Sequence, residues 1–294
     1  MRKIAPSTII AICFLACSGW AQFHQVTDRV VPFSFYISSM PAYYRSVTAI
    51  DVLADSLKSP SEMSRIRAAY RMAELKNPAA VPLLIEVYEN EPLREGAIDM
   101  GNGLRDYALV AIGIIGGKEA EVFLCALVKE IFFEKGLEWA KGDAIYIAGG
   151  AIDGLSMTKS ICADSLLSRI IEAYEKRRHP FATLEFAYTA RDRLELIRDE
   201  SQARKFALLD TFKDHSSILH RNQDTSFANQ QEERTFLLDN YRIHALQRNA
   251  IEIGIADPQA LLEYKTALAS GDPFANDMDY VIAIANKTRE RLDQ

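Results

Sequence analysis

The sequence predicts an all-α protein, an α-α superhelix (solenoid) of helical hairpins closed by a C-terminal helical cap. Three observations predict it. Apolar positions recur about every 40 residues, capping residues fall at the turns this recurrence demands, and a glycine pair marks one of those turns. The first copy reads Ala68, Met72, Leu75, Leu84 and Val87, and a step of 40 residues gives Ala108, Ile112, Ile115, Leu124 and Leu127 without a gap. Another 40 gives Ala148, Ile152 and Leu155, after which three inserted residues delay the second half to Leu167 and Ile170. The fourth copy is Ala190, Leu194, Ile197, Phe206 and Leu209. Apolar residues three and four apart share one face of a helix, so each copy reads as two helices, each with an apolar stripe to bury.

Residues 1–21 read as a secretory signal: Arg2 and Lys3 form a basic start, Thr8 to Cys17 an apolar run, and Gly19-Trp20-Ala21 a cleavage site. That run is far short of the ~20 residues that cross a bilayer, and no later segment reaches this length. The chain is therefore expected to be exported, to a periplasmic or extracellular location, with no transmembrane span once cut. Leu15-Ala16-Cys17 supplies an alternative, since it resembles a bacterial lipobox and would place a lipid anchor at Cys17. Within residues 22–58, Gln22 to Met40 is aromatic and β-branched and reads as an extended segment, and Pro41 to Lys58 as an amphipathic capping helix.

The repeats occupy residues 59–214. Ser59-Pro60-Ser61-Glu62 reads as a capping box with proline at the first helical position. Asn77-Pro78 repeats the device two residues after Leu75, and Gly116-Gly117 gives repeat two its tight turn. In repeat three Gly149-Gly150 costs helix propensity of about 1 kcal/mol per glycine, which points to close packing of neighbouring first helices, or else to a backbone opening for a ligand. Trp139 is either an exposed anchor or a cover for the interior. The polar stretch Lys213 to Arg234 reads as a loop, with 215–234 as linker. Region 235–294 then holds three helices, Phe236 to Ile253, Pro258 to Ser270 and Pro273 to Leu292, the last two opened by Asp257-Pro258 and Asp272-Pro273.

Helical pairs of about 40 residues, an Ala-rich first helix with arginines, and Asn77-Pro78-Ala79-Ala80-Val81-Pro82-Leu83-Leu84 opening the second resemble the HEAT-like (armadillo-type) repeat family over Ser61 to Phe212. The resemblance implies a right-handed superhelix that binds other proteins along a concave surface lined by second helices. Mapped through the register, it implies a protein-binding surface including Glu86, Glu89, Lys129, Glu130, Arg169 and Glu172. Some members of the family act in chromophore attachment or DNA repair, activities that fit an exported acidic chain badly.

Charge and motif content narrow the chemistry. The formal net charge is −6, and removing residues 1–21 deletes two basic residues and no acidic one, leaving −8. Arg65, Arg67 and Arg71 are too few and too mixed with Glu62 and Glu74 to make the basic face that nucleic acid requires. Gly113 to Lys118 fails as a phosphate loop because its glycine spacing is wrong and Glu119 stands where Ser or Thr must hold magnesium, and Gly101-Asn102-Gly103 has Asp106 in place of a third glycine. His24, His179, His215, His220 and His244 have no metal-ligand spacing; His215 and His220 with Asp214 and Asp224 come nearest to one. No His-Glu-x-x-His, Gly-x-Ser-x-Gly or Cys-x-x-Cys occurs, so no catalytic residue, cofactor or metal is assigned. Cys125 and Cys162 fall in a second helix and an inserted turn, and read as two small thiols, with a disulfide as the alternative. The expected function is a non-enzymatic protein- or peptide-binding scaffold. The alternative is an envelope enzyme with a site between the solenoid and the C-terminal helices.

Overall fold

The computed structural model describes residues 42–92, 103–135, 144–176, 183–221 and 229–293. Among them the chain forms thirteen α-helices and no strand. In order these are α1 (Ala42–Ser46), α2 (Ile50–Leu57), α3 (Glu62–Leu75), α4 (Val81–Asn90), α5 (Leu104–Ile115), α6 (Gly117–Lys129) and α7 (Ala144–Met157). Then follow α8 (Ile161–Glu175), α9 (Thr183–Arg198), α10 (Gln202–Arg221), α11 (Gln230–Ala256), α12 (Pro258–Ala267) and α13 (Phe274–Asp293). The signal segment, Gln22 to Met40, Trp139 and Gly101-Asn102 lie outside the described residues.

The apolar repeat buries as its spacing requires. Met72, Ile112, Ile152 and Leu194 have no exposed surface, nor have Ala68, Ala108, Ala148 and Ala190 one turn before them. The first helices α3, α5, α7, α9, α11 and α13 form one layer in which each packs along the next. The second helices α4, α6, α8, α10 and α12 form the other layer and touch one another far less. Each of α4, α6, α8 and α10 packs more extensively on the first helix that follows it than on the one before. The three C-terminal helices prolong this ladder: α11 takes a first-helix place on α9, and α13 packs on α11 in turn.

Small residues make the close layer. A Cβ on Gly113 would lie 2.1 Å from the Gly154 carbonyl oxygen, and one on Gly154 would lie 2.3 Å from that of Leu109, so α5 and α7 touch backbone to backbone. Gly150 faces the Asp106 backbone at 3.1 Å and Gly149 faces the Phe186 ring at 3.2 Å. The glycine pair thus wedges α7 between α5 and α9, the packing reading of that pair. Successive first helices therefore approach one another more closely than successive second helices do.

Several local readings shift. Ser61, not Ser59, caps α3, its Oγ accepting from the Ser64 N–H at 3.4 Å, while Ser59 Oγ accepts from the Ser61 N–H at 3.2 Å. Asn77 and Asp257 cap as read, accepting from Ala79 N–H at 3.0 Å and Ala260 N–H at 3.2 Å. Pro41 to Lys58 is two short helices rather than one. The polar stretch Lys213 to Arg234 is helical through Arg221 and again from Gln230, because its side chains find partners on α13 and the turn before it. Lys213 Nζ meets Asp272 at 2.5 Å, and Ser216 hydrogen-bonds Asp277. Cys125 and Cys162 are joined in a disulfide across a Cα separation of 6.5 Å, inside the span a bridge allows, so the two-thiol reading is corrected.

Candidate binding surface

A helix on the open layer can present one face to solvent without breaking the core, and α6 does so. Lys118, Glu121, Val122, Cys125, Ala126 and Lys129 recur three and four residues apart, so they form a single stripe. With Glu134 beyond the helix end and Cys162 at the start of α8, this stripe lines an open groove of about 420 Å³. Val122 is 56% exposed and Ile161, beside Cys162, is 86% exposed. The disulfide fixes the beginning of α8 against α6 and so brings both aliphatic side chains to the groove's neighbourhood. Ser160 Oγ accepts from the Ala163 N–H at 3.0 Å and starts α8 at that point.

The six positions mapped through the register all sit on second helices or the turn after α6. Glu86 and Glu89 are exposed on α4, away from the groove lining. Lys129 lines the groove. Glu130 opens a π-helical turn, Glu130–Glu134, and pairs with Lys135 at 2.6 Å. Arg169 of α8 lies over the Phe133 ring at 4.1 Å from its centre, and Glu172 is held below the usual carboxylate range by its hydrogen bond to Lys176 at 2.5 Å. Of the six, the structure thus places Lys129 on the groove lining, Glu130 and Arg169 at the π-helical turn that ends in Glu134, and Glu86 and Glu89 on a separate helix.

A second constellation lies in the layer of first helices, where α7, α9 and α11 meet. Arg193 is buried with its Nε 2.8 Å from Glu252 Oε2 and Nη1 2.8 Å from Asp153 Oδ1, and its Nη2 also meets Glu252. Burial alone would lower the pKa of Arg193, but Glu252 and Asp153 more than reverse this and hold its charge. Arg248 is 4% exposed, stands 3.7 Å from Glu185 and 3.9 Å from Asp153, and its Nε has no hydrogen-bond partner. His244 Nδ1 stands 3.6 Å from the other oxygen of Glu185, and Arg242 meets Asp192 at 2.5 Å. His215 is pushed below its ordinary pKa by burial and by Arg242, whereas burial raises Asp239 opposite it. Asp224 and the side chain of His220 fall outside the described residues. Among the described residues no group of His, Cys, Asp and Glu is arranged to hold a metal ion.

Sequence reasoning missed this constellation, although a signal was present. Asp192 and Arg193 occupy the register places of Gly150 and Ala151 in repeat three and of Val110 and Ala111 in repeat two. Charge at a buried register position calls for a buried partner.

Residues 64–90 match the PBS lyase HEAT-like repeat. The match spans α3, the turn at Asn77 and α4, which is the first copy of the 40-residue pattern. HEAT-like repeats generally mediate protein binding. No curated protein and no solved structure matches the chain significantly. Among the described residues no helix is long and apolar enough to cross a membrane.

Proposed function

We propose that this chain is an exported, non-enzymatic scaffold that captures a protein or peptide on the open layer of its HEAT-like array, at the groove between α6 and α8. One observation carries this reading. Val122 and Ile161, both large and aliphatic, stand exposed beside an open groove rimmed by Lys118, Lys129, Glu121 and Glu134. An interface needs an apolar centre and a polar rim, and this surface has both. Export rests on residues 1–21, and an acylated Cys17 would tether the same surface to a membrane.

The test is capture of cross-linked partners from the native host by wild type and by Val122→Asp/Ile161→Asp, with charge reversal at Lys129 and Arg169 as a second variant. Loss of capture at unchanged melting temperature supports the reading. Capture by both variants at wild-type levels would move the site elsewhere. Intact mass of the mature protein separates a chain that starts at Gln22 from one acylated at Cys17.

A second reading, an envelope enzyme, is favoured by one feature, the meeting of His244, Glu185 and Arg248 between the fourth repeat and the C-terminal helices. Their separations of 3.6 and 3.7 Å leave both pairs outside direct hydrogen-bond contact. His244→Gln distinguishes the two readings, since it would abolish a catalysed reaction and leave partner capture intact.

A further inference from the structure

We propose that the Cys125–Cys162 bridge is a thiol–disulfide exchange site, reduced by a small thiol of the glutathione class while the protein remains folded. It goes beyond the scaffold reading and holds whatever occupies the groove. Three observations converge on it. Both cysteines line a groove open to solvent, so a thiol reaches them without unfolding the array. Cys162 is the second residue of α8, where unpaired backbone N–H groups and the helix dipole favour a thiolate. Lys129 lies one turn beyond Cys125 on the same face, and with Lys118 it puts two cations on the groove lining against the carboxylates of Glu121 and Glu134. Stabilising the thiolates stabilises the reduced form, and a bridge whose reduced form is stabilised is the more readily reduced.

The step balances as follows. A reductant thiolate attacks Sγ of Cys162, the less buried of the two, forming a mixed disulfide as the Cys125–Cys162 bond breaks and Cys125 departs as a thiolate. A second reductant thiolate attacks the reductant's sulfur in that mixed disulfide, releasing Cys162 as a thiolate and the oxidised dimer of the reductant. The bridge gains two electrons, one from each reductant thiol, and their protons pass to the cysteines or to solvent. Because second helices touch one another sparsely, reduction unties the start of α8 from α6 and frees Ile161 from its fixed place beside the groove.

The test incubates the full chain in glutathione buffers, quenches with N-ethylmaleimide and maps alkylation by peptide mass, with helicity followed by circular dichroism. The expected result is alkylation at both Cys125 and Cys162 with helicity retained. Alkylation that begins only after denaturant is added would overturn the proposal. Cys125→Ser supplies an independent measure, because it leaves Cys162 alone at the start of α8. A helix-start position that favours the thiolate should make oxidised glutathione modify Cys162 severalfold faster in the folded variant than in the urea-unfolded one; an equal or slower rate overturns the idea.

Discussion

Replacing Arg193 by Met tests the ionic network of α7, α9 and α11 directly, because methionine keeps the apolar stem and removes the charge. Arg193 is the shared partner of two carboxylates on different helices, Asp153 on α7 and Glu252 on α11. Its loss leaves Asp153, with a side chain 17% exposed, only Arg248 at 3.9 Å, and leaves Glu252, 29% exposed, with no other ion pair among the described residues. Removing one partner of a buried pair costs about 3–5 kcal/mol, most of it the penalty of the orphaned charge. Glu252 reaches water in part, which places the expected loss near the lower bound, about 3 kcal/mol. Adding Asp153→Asn and Glu252→Gln removes the orphaned charges and should restore more than half of the loss. Urea unfolding followed by circular dichroism at neutral pH measures all three proteins. A single variant within about 0.5 kcal/mol of wild type, the ordinary range for surface changes, would refute the argument that this network is paired and buried. So would a triple variant no more stable than the single one.

Gly154→Ala forces a Cβ to within 2.3 Å of the Leu109 carbonyl oxygen, a backbone atom that cannot rotate away, and should cost at least about 1–3 kcal/mol, whereas Gly149→Ala meets the Phe186 ring at 3.2 Å and should cost less. Thermal unfolding that ranks the two the other way would contradict the backbone contact of α5 and α7. Ser160→Ala removes the cap of α8 and is expected to cost about 1 kcal/mol in the same assay, with no loss refuting the cap's contribution. His215 is held below its ordinary value, so the unfolded chain binds its proton more readily and stability falls as pH drops below about 6.5. His215→Gln should flatten stability against pH in that window, and an unchanged slope would show that another group titrates there. Asp239 has the opposite sign: its raised pKa means that folding favours the protonated form, so Asp239→Asn should stabilise the protein at neutral pH.

The legible part of this fold is the part set by local spacing. Met72, Ile112, Ile152 and Leu194 announce buried stripes because helix periodicity alone decides which side chains share a face. Asn77-Pro78 and Asp257-Pro258 announce helix starts because a cap acts within three residues. Of the six register-mapped positions all but the half-buried Glu130 are exposed, since exposure follows from opposing the stripe. Periodicity does not say how closely successive helices approach. That is set by Gly113 and Gly154, forty-one residues apart in the chain and touching in space.

Polar residues are hard to place from sequence wherever burial is shared among three helices. A helix with neighbours on both sides has several buried faces, so a charge off the apolar stripe need not meet water. Asp192, Arg193 and Arg248 lie on such faces and are matched by Arg242, Glu252 and Glu185 from the facing helices. Lys213 and Ser216 show the same effect: their polar stretch reads as a loop, yet they stand on α10 with partners across the helix interface. Leu194 belongs to an apolar cluster that runs through the repeats and reaches Ala245 of α11, and Leu246 to a second one shared by α10 and the C-terminal helices. Ion pairs demand specific geometry where apolar contact does not. The ionic network of α7, α9 and α11 therefore fixes the register of α11 on the repeats, which a 40-residue apolar pattern, broken before Gln230, leaves undetermined.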